Sequence, residues 1–183
     1  MAERCLLAIS GTPGVGKSQL CNALGKQGWE VLRLVDLAEQ YGCLGEVDER
    51  DGAAPVDIHR LEEVWDAPGA GRWVIDGHLS HLLEVDGVVS LRCSPPVLSN
   101  RLEGRSYAEE KIRSNVEWEL MAGHWSELLE FEVATPVLEL DSTDCPTNEL
   151  LEHVEAWVDE NLAQIPTSEL ALSAIDWLTE STA

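Results

Sequence analysis

Eight residues near the start of the chain carry the chemistry that is most easily recognised. The run Gly11-Thr12-Pro13-Gly14-Val15-Gly16-Lys17-Ser18 fits the pattern Gly-x4-Gly-Lys-Ser at every fixed position. Glycines let successive backbone N–H groups point inward at phosphate oxygens, and a following helix adds the positive end of its dipole. We therefore predict that Lys17 reaches the β- and γ-phosphates of a nucleotide and that the Ser18 hydroxyl binds Mg²⁺. The alternative is a glycine-rich turn with an accidental lysine.

The residues on either side of this run supply the context that a phosphate site needs. Residues 4–9 have the pattern of a short buried strand, and residues 19–26 have that of a helix. The glycines therefore fall at a strand-to-helix turn, where the phosphate-binding motif is functional.

A carboxylate ends another apolar segment, in the run Val74-Ile75-Asp76-Gly77-His78. Beside a phosphate loop, such a carboxylate can hold Mg²⁺ or its waters while the strand fixes its position. The alternative is an Asp76 that caps the next turn. His78 could position a water or a phosphate oxygen, although a structural role is equally open. His78 and His81 have a helical spacing, but we discard a histidine metal site because no third ligand is near.

Four cations are concentrated in one segment of an acidic chain: Arg101, Arg105, Lys111 and Arg113. Guanidinium groups can clamp the oxygens on which charge develops during phosphoryl transfer, so this segment is a candidate lid over the phosphates. The alternative is a solvated helix face paired with the neighbouring glutamates. Trp118 and Trp125 are seven residues apart on one predicted helix face, a spacing more typical of packing than of base stacking.

The charge of the whole chain is unusual, since 34 Asp and Glu face 12 Lys and Arg, a net charge of -22. Such a surface repels nucleic acid and anionic membranes, so we expect no direct binding to either. We predict a halophilic cytoplasm, where molar salt reduces the Debye length to about 3 Å and relieves the self-repulsion. An acidic face that docks a basic partner is the competing explanation, and the two can coexist.

Smaller signals narrow the class of protein. The five cysteines are scattered and odd in number, which is typical of small apolar residues in a reducing cytoplasm. No segment has the length of a membrane span or the form of a signal peptide. The sequence argues against a guanine-reading GTPase of the Ras type. Such proteins carry an Asn-Lys-x-Asp motif, and none of the three lysines here follows an Asn. We expect a monomer.

The remaining pattern predicts an α/β fold with a five-stranded parallel sheet covered on both faces. The predicted strands are residues 4–9, 30–35, 72–75, 87–92 and 135–140. The predicted helices are residues 19–26, 37–41 (capped by Asp36), 56–65, 95–102, 107–131, 147–162 and 169–178. Residues 42–55 lose the pattern and are predicted to be a mobile surface segment that closes over a substrate. We divide the chain into one domain, residues 1–163, and an extension, residues 164–183.

Several of these motifs together resemble one family. They are the phosphate loop, the triplet Asp76-Gly77-His78, the run Arg101-Leu102-Glu103-Gly104-Arg105-Ser106-Tyr107, and the segments Glu110-Lys111-Ile112 and Asn115-Val116-Glu117. In order along about residues 6–157, they resemble the Fap7 family of atypical adenylate kinases, also called the adenylate kinase isoenzyme 6 or CINAP type. We expect an archaeal member of this family, and the net charge of -22 predicts a salt-rich cell.

The resemblance implies a three-layer P-loop nucleoside-monophosphate-kinase fold with a lid segment. It implies transfer of the γ-phosphoryl group of ATP to AMP with Mg²⁺, together with weak ATPase activity. It also implies a role in late maturation of the small ribosomal subunit, through contact with a platform protein of the S11 family.

The resemblance assigns roles to particular residues. The catalytic candidates are Lys17, Asp76, His78, Arg101 and Arg105. The candidates for ATP contact are Gly11, Pro13, Gly14, Val15, Gly16, Lys17, Ser18, Gln19 and Arg105. The Mg²⁺ candidates are Ser18 and Asp76, and Asp36 is similar to the start of the family's monophosphate-binding segment.

Two departures from the family pattern affect these assignments. The family commonly has Asp-x-His-Gly with an aromatic residue at x, whereas Gly77 stands at that position here and is expected to loosen the backbone that holds Asp76 and His78. Some members carry a basic residue for the AMP phosphate where this chain has Glu39. Arg33 and Arg50 are the candidate replacements.

Two other functions stay open at this stage. The first is an ATP-switched assembly factor whose kinase activity is incidental and whose acidic surface meets the basic tail of a ribosomal protein. The second is a small-metabolite kinase on the same fold, because the choice of acceptor depends on the shape of residues 42–55.

Overall fold

The computed structural model describes residues 4–47, 54–105 and 107–180, and their strands form one five-stranded parallel sheet. The strands are β1 Arg4–Ser10, β2 Glu30–Arg33, β3 Gly71–Asp76, β4 Gly87–Arg92 and β5 Val137–Asp141. The helices are α1 Lys17–Lys26, α2 Leu34–Gln40, α3 Ile58–Val64, α4 Pro95–Glu103, α5 Glu109–Leu120, α6 Gly123–Glu130, α7 Thr147–Asp159, α8 Thr167–Leu170 and α9 Trp177–Glu180. Two 3₁₀ turns, Ser80–Leu82 and Ala171–Ser173, complete these elements.

Strand β1 lies at the centre of the sheet, whose order is β2-β3-β1-β4-β5. In register, Ile9 pairs with Asp76 of β3 on one side, and Ser10 pairs with Ser90 of β4 on the other. The carboxyl ends of β1 and β3 therefore meet at one edge of the sheet. A crevice at that edge is where open α/β sheets bind ligands.

Helices cover both faces of the sheet, as the sequence predicts. Leu6 and Ala8 of β1 pack with α2, α3 and α6, whereas Leu7 and Ile9 pack with α1, α4 and α7. All six residues of β4 are buried, as expected for a strand covered on both sides. Because successive side chains of β1 point to opposite faces of the sheet, this strand contributes to two hydrophobic cores, one on each face.

The prediction of a single helix over residues 107–131 is wrong. The chain turns between α5 and α6, where Ala122 adopts a left-handed conformation with φ 50°. A Cβ on Gly123 would lie 2.2 Å from the Trp118 ring, so only glycine allows this turn against the indole. Trp118 and Trp125 consequently do not share a face, since Trp118 is 43% exposed and Trp125 is buried.

The junction between β2 and α2 also differs from the prediction. The strand ends at Arg33 and the helix begins at Leu34, so Asp36 lies in the first helical turn instead of capping the helix. Leu34 is almost fully buried while Val35 is half-exposed. The sequence predicts that Leu34 and Val35 continue strand β2. In the structure they begin helix α2, which turns Leu34 toward the core and Val35 toward solvent.

The predicted mobile segment, residues 42–55, is tied at both of its ends. Leu44 forms an antiparallel bridge with Val56, and the Gly45 N–H donates to the Pro55 carbonyl at 2.8 Å. Residues 48–53, which include the AMP candidate Arg50, lie outside the described residues. Mobility and closure of this segment stay predictions.

Residues 164–180 pack on the domain, although not as the single helix predicted for residues 169–178. The Thr167 hydroxyl donates to the Val133 carbonyl, and the Gln164 side chain donates to the Ala134 carbonyl. Between the short helices the Ile175 N–H donates to a Glu139 carboxylate oxygen at 3.0 Å, which takes the backbone out of a helical path. All five cysteine thiols are free. Among the helices described, none is long and apolar enough to span a bilayer.

Candidate functional site

The loop between β1 and α1 is a glycine cradle. Gly11, Gly14 and Gly16 have φ values of 128°, 99° and 106°, which side-chain-bearing residues rarely adopt. A Cβ on Gly11 would lie 2.3 Å from the Leu91 carbonyl oxygen, and one on Gly14 would lie 2.8 Å from a Leu98 methyl carbon. The loop can follow this path only with glycine at these positions.

Lys17 is held over the loop that contains it. Its ammonium group donates to the carbonyl oxygens of Gly11 at 2.8 Å and Thr12 at 2.9 Å. Burial lowers the pKa of Lys17 to about 8, an effect that Asp76 opposes and Arg105 reinforces. The loop thus presents a cation beside both a carboxylate and a guanidinium group.

Two oxygen groups that could hold Mg²⁺ lie near this lysine. Ser18 is exposed in the first turn of α1, and half-buried Asp76 ends β3 beside β1. Mg²⁺ usually takes one or two protein oxygens and completes its shell with water and substrate phosphates. Within residues 4–47, 54–105 and 107–180, no three His, Cys, Asp or Glu side chains cluster as a metal site. The donor set therefore fits an ion that is shared with a nucleotide.

Two buried side chains that sequence reasoning missed support the loop from outside. The Thr12 hydroxyl donates to Glu119 at 2.5 Å, and the Ser142 hydroxyl donates to the Val15 carbonyl at 2.6 Å. Glu119 follows a glutamate-rich helical pattern that indicates a solvated face, so no local signal marks its burial. The burial of Ser142 depends on strand order and is equally invisible in the sequence.

A buried histidine pair lies beneath the loop, at the end of β1. The Ser10 Oγ lies 2.8 Å from His81 Nδ1 and 2.9 Å from His124 Nε2, and the two histidine rings meet edge to face. Burial lowers the pKa of His81 to about 4 and that of His124 well below its usual value. The pair is therefore neutral at physiological pH and acts as a hydrogen-bonded support.

His78 and His81 lie in different environments. His78 is exposed at the mouth of the site and His81 is buried. Gly77 between Asp76 and His78 was expected to loosen the backbone. Instead, its N–H donates to the Ile9 carbonyl at 3.4 Å, and a Cβ there would lie 2.4 Å from the Leu34 Cβ. Glycine at this position permits close packing of the strand end on α2.

A cleft of about 480 Å³ opens directly in front of the loop. Thr12, Pro13 and His78 form one side, and Lys111 and Trp118 of α5 form the other. Tyr107 also borders the cleft, and the Lys111 ammonium lies 4.8 Å from the centre of its ring. The cleft combines one cation, Lys111, with the aromatic surfaces of Tyr107 and Trp118, and Glu127 also lines it. A cation beside aromatic rings suits a phosphorylated molecule that carries a planar base.

The four cations of the candidate lid lie in different surroundings. Arg101 donates to the carbonyl oxygens of Ser142 at 2.7 Å and Thr143 at 3.1 Å, so it anchors the turn after β5. Arg105 is exposed, and Arg113 pairs with Glu117 at 3.9 Å on the surface. Lys111 faces the cleft. Phosphate contact by Arg101 and Arg105 stays a prediction.

The other site candidates lie at different distances from the loop. Pro13 borders the cleft, Gly16 accepts the first helical hydrogen bonds, and Gln19 is exposed on α1. Arg33 and Asp36 form a 3.7 Å ion pair with each other at an exposed position outside the cleft lining. In the sheet register Arg33 pairs with Asp76, so the Arg33–Asp36 ion pair lies beside the end of β3 without lining the cleft.

Comparison with known proteins places the chain among nucleotide kinases. Residues 7–122 match the family described as AAA domain. A protein of Archaeoglobus fulgidus named "Putative adenylate kinase" is 39% identical over 175 residues, which are 96% of this chain and 93% of that protein. A protein of the same name from Pyrococcus abyssi is 40% identical over 151 residues, 81% of either chain.

Solved structures share the fold at low sequence identity. A deoxyadenosine kinase from M. mycoides, with dCMP and dCDP bound, superposes with a TM-score of 0.53 at 17% identity and covers 85% of this chain and 98% of its own. The YorR protein of Bacillus subtilis, in complex with phosphorylated GDP, gives a TM-score of 0.53 at 16% identity, with 87% and 99% coverage. These likenesses confirm the predicted P-loop kinase fold. The archaeal relatives are 39% and 40% identical over 96% and 81% of this chain. This similarity shows that the chain belongs to their family of adenylate-kinase-like proteins.

Proposed function

We propose that this protein transfers the γ-phosphoryl group of ATP to AMP, with Mg²⁺, and forms two molecules of ADP. The observation that carries the proposal is the glycine cradle with Lys17 beside Asp76, facing a cleft with room for an acceptor. The names of the archaeal relatives support AMP as that acceptor.

The residues of this chain would act by positioning and by charge. The loop N–H groups and Lys17 would bind the ATP phosphates, while Ser18 and Asp76 would hold Mg²⁺. When bound, Mg²⁺ supplies positive charge that neutralises the phosphate oxygens. An AMP phosphate oxygen forms a bond to the γ-phosphorus as the bond from that phosphorus to the β-bridging oxygen breaks. Arg105 lies close enough to Lys17 to lower its pKa and would stabilise the charge that develops.

The cleft in front of the loop is the proposed acceptor site. Lys111 would attract the AMP phosphate, and the exposed indole of Trp118 offers a surface for the base. Arg33 and Arg50 remain proposals for the AMP phosphate, since Arg33 pairs with Asp36 and Arg50 lies outside the described residues.

Nucleotide conversion tests the proposal. We would incubate the protein in molar KCl and Mg²⁺ with ATP alone, with ATP plus AMP, and with ATP plus each other monophosphate. ADP should form mainly with AMP present, and Lys17→Ala should lower the rate by at least about 100-fold without unfolding the chain. Equal activity in the variant would show that the loop is not the active site.

The net charge of -22 supports a second function, as an ATP-dependent assembly factor for a basic partner. We propose a small-subunit ribosomal protein of the S11 family as that partner, in the cytoplasm of a salt-adapted cell. Phosphate release that the basic protein stimulates, and to which AMP makes no difference, would favour this function. Stimulation by AMP alone would count against it.

A further inference from the structure

The phosphate loop and the end of the chain are joined through one carboxylate. Thr12 of the loop donates to Glu119 Oε2 at 2.5 Å, and Trp177 of α9 donates its indole N–H to Glu119 Oε1 at 3.0 Å. Arg92 donates to that same Oε1 at 2.7 Å. The Arg92 and Glu119 side chains are each 1% exposed.

Burial makes the position of this carboxylate sensitive to every donor around it. A buried ionised group is costly unless hydrogen bonds and an opposite charge replace its water. Glu119 meets this need with Thr12, Arg92, Trp177 and the Cys93 N–H. Loss of the indole N–H would leave Oε1 with the Arg92 and Cys93 donors alone. This change in the pull on Oε1 favours a shift of the carboxylate, and with it of the Thr12 hydroxyl that donates to Oε2.

The segment around Trp177 is built onto this network at more than one point. The indole is 3% exposed, and its ring centre lies 5.9 Å from the Arg92 guanidinium carbon. Ile175 is held through its carbonyl by Arg92 and through its N–H by Glu139. Trp177 therefore enters the network in a fixed orientation.

We propose that Trp177 is a positioning residue for ATP binding, acting through Glu119 on Thr12 of the phosphate loop. The Thr12 carbonyl also accepts from Lys17, so a displaced Thr12 moves the cation that is to meet the phosphates. This inference rests on the proposed function only in taking ATP as the ligand of the loop. It gives the C-terminal segment a role in nucleotide affinity.

A second Trp–Glu–Arg triad, whose Arg72 and Glu155 side chains are 40% and 26% exposed, provides a control for the loss of a buried indole N–H away from the loop. Trp29 donates its indole N–H to Glu155 at 2.8 Å, Arg72 pairs with that glutamate, and the Arg72 guanidinium carbon lies 4.5 Å from the Trp29 ring centre. Trp29 is 3% exposed, as Trp177 is. Glu155 lies on α7 and makes none of the loop's hydrogen bonds given above, so loss of the Trp29 N–H should not reach Thr12.

The test is a double-mutant cycle on the full chain, with the affinity for Mg²⁺-ATP measured by titration calorimetry in molar KCl. Trp177→Phe keeps an aromatic ring and removes the N–H, and it should weaken ATP binding by at least about five-fold. Thr12→Val removes the hydroxyl at nearly constant shape. Because both changes act through Glu119, the double variant should lose much less than the product of the single losses. Trp29→Phe should leave the affinity within about two-fold and should combine multiplicatively with Thr12→Val.

Wild-type affinity in Trp177→Phe, or multiplicative losses in its double variant, would overturn this inference and leave the kinase proposal standing. A wild-type chain that binds no ATP would overturn both. If Trp177→Phe does not fold, an NMR measurement on the unmodified protein tests the coupling instead. The Trp177 indole N–H resonance should shift on saturation with ATP while that of Trp29 stays in place, and an unmoved Trp177 resonance refutes the coupling.

Discussion

Lys17 is held by neutral partners. Its two hydrogen bonds go to carbonyl oxygens of Gly11 and Thr12, and burial lowers its pKa to about 8. Phosphate groups would favour the charged form and raise the pKa again. Binding of ATP should therefore be accompanied by proton uptake wherever the free lysine is partly deprotonated.

This linkage predicts that ATP affinity falls as pH rises. Below pH 8 Lys17 is charged in both the free and the bound protein, so the affinity is at its maximum. Above pH 8 the free lysine loses its proton, and the affinity should fall by up to about ten-fold per pH unit until the bound pKa is reached. Titration calorimetry from pH 7 to 10 measures this, with Lys17→Met as a non-titrating control. Parallel profiles for the two proteins would contradict the prediction.

The buried histidine pair makes the stability of the fold depend on pH in the acidic range, whereas Lys17 affects ATP binding in the basic range. His81 has a pKa of about 4 in the fold, below the value near 6.5 of an unfolded histidine. The unfolded chain therefore binds protons that the folded chain refuses. The stabilising contribution is complete above pH 6.5 and is lost as the pH falls toward 4.

Replacement of His81 should reduce this pH dependence. Between pH 7 and 5, His81 alone should cost the wild type about 2 kcal/mol of unfolding free energy, because one pKa unit corresponds to about 1.4 kcal/mol. His81→Asn is less stable at pH 7 but should lose correspondingly less on acidification. Urea unfolding at the two pH values measures the difference. An identical loss in both proteins would show that His81 does not titrate in this way.

At the scale of residues, the sequence predicts which groups of the loop and of β3 are candidates for contact with phosphate and Mg²⁺, and these contacts stay predictions. It misses the buried side chains that support the loop. Lys17, Ser18 and Asp76 belong to short motifs whose spacing has a chemical reason. Glu119, Ser142 and His124 owe their positions to strand order and helix packing, which bring distant residues together. No local pattern contains that information.

The end of β3 packs closely against α2. Gly77 lets the strand end approach the Leu34 side chain, and Asp76 precedes this contact directly. The first turn of α2 thus fixes the height of the Asp76 carboxylate, the proposed Mg²⁺ ligand, above the sheet.

A methyl group at this contact should be costly. Gly77→Ala is expected to lower the unfolding free energy by about 1–3 kcal/mol, since its Cβ would overlap Leu34. Gly69→Ala is the control because a Cβ there meets no atom within 4 Å, and it should change stability by less than about 0.5 kcal/mol. Urea midpoints compare the two variants. Equal midpoints would mean that the junction yields without cost.

Element prediction succeeded where burial is continuous and failed where single backbone angles decide. The strand at residues 87–92 is found as predicted because Val88, Val89 and Leu91 form the short, mostly apolar run of a covered parallel strand. The break in the helix at residues 107–131 depends on Ala122, whose left-handed conformation no residue preference announces. The prediction of one helix over residues 169–178 is wrong for a similar reason, because the backbone path there depends on hydrogen bonds to Glu139 and Arg92.

In the whole molecule, 34 Asp and Glu face only 12 Lys and Arg, so the carboxylates far outnumber their possible cationic partners. Several arginines are already paired, including Arg4 with Asp86 and Arg72 with Glu155, so the surplus carboxylates repel one another. This repulsion favours expanded states, and dissolved salt screens it.

We expect the melting temperature to be clearly higher in 2–3 M KCl than in dilute buffer. Thermal scans at several KCl concentrations measure this, with a chaotropic potassium salt at equal ionic strength to separate screening from general salt effects. A melting temperature that does not respond to KCl would eliminate the proposal of a salt-adapted protein.

The attachment of Trp177 to Glu119 also has a consequence for synthesis on the ribosome. Chains fold from the N-terminal end as they emerge, and β1 to β5 precede α9 in the chain. A nascent chain would therefore expose the Arg92–Glu119 pair without its indole donor until α9 has emerged and docked. If Trp177 acts as proposed, the nucleotide site reaches its final form only at that point, and chains that stop short of α9 would be poor competitors for ATP.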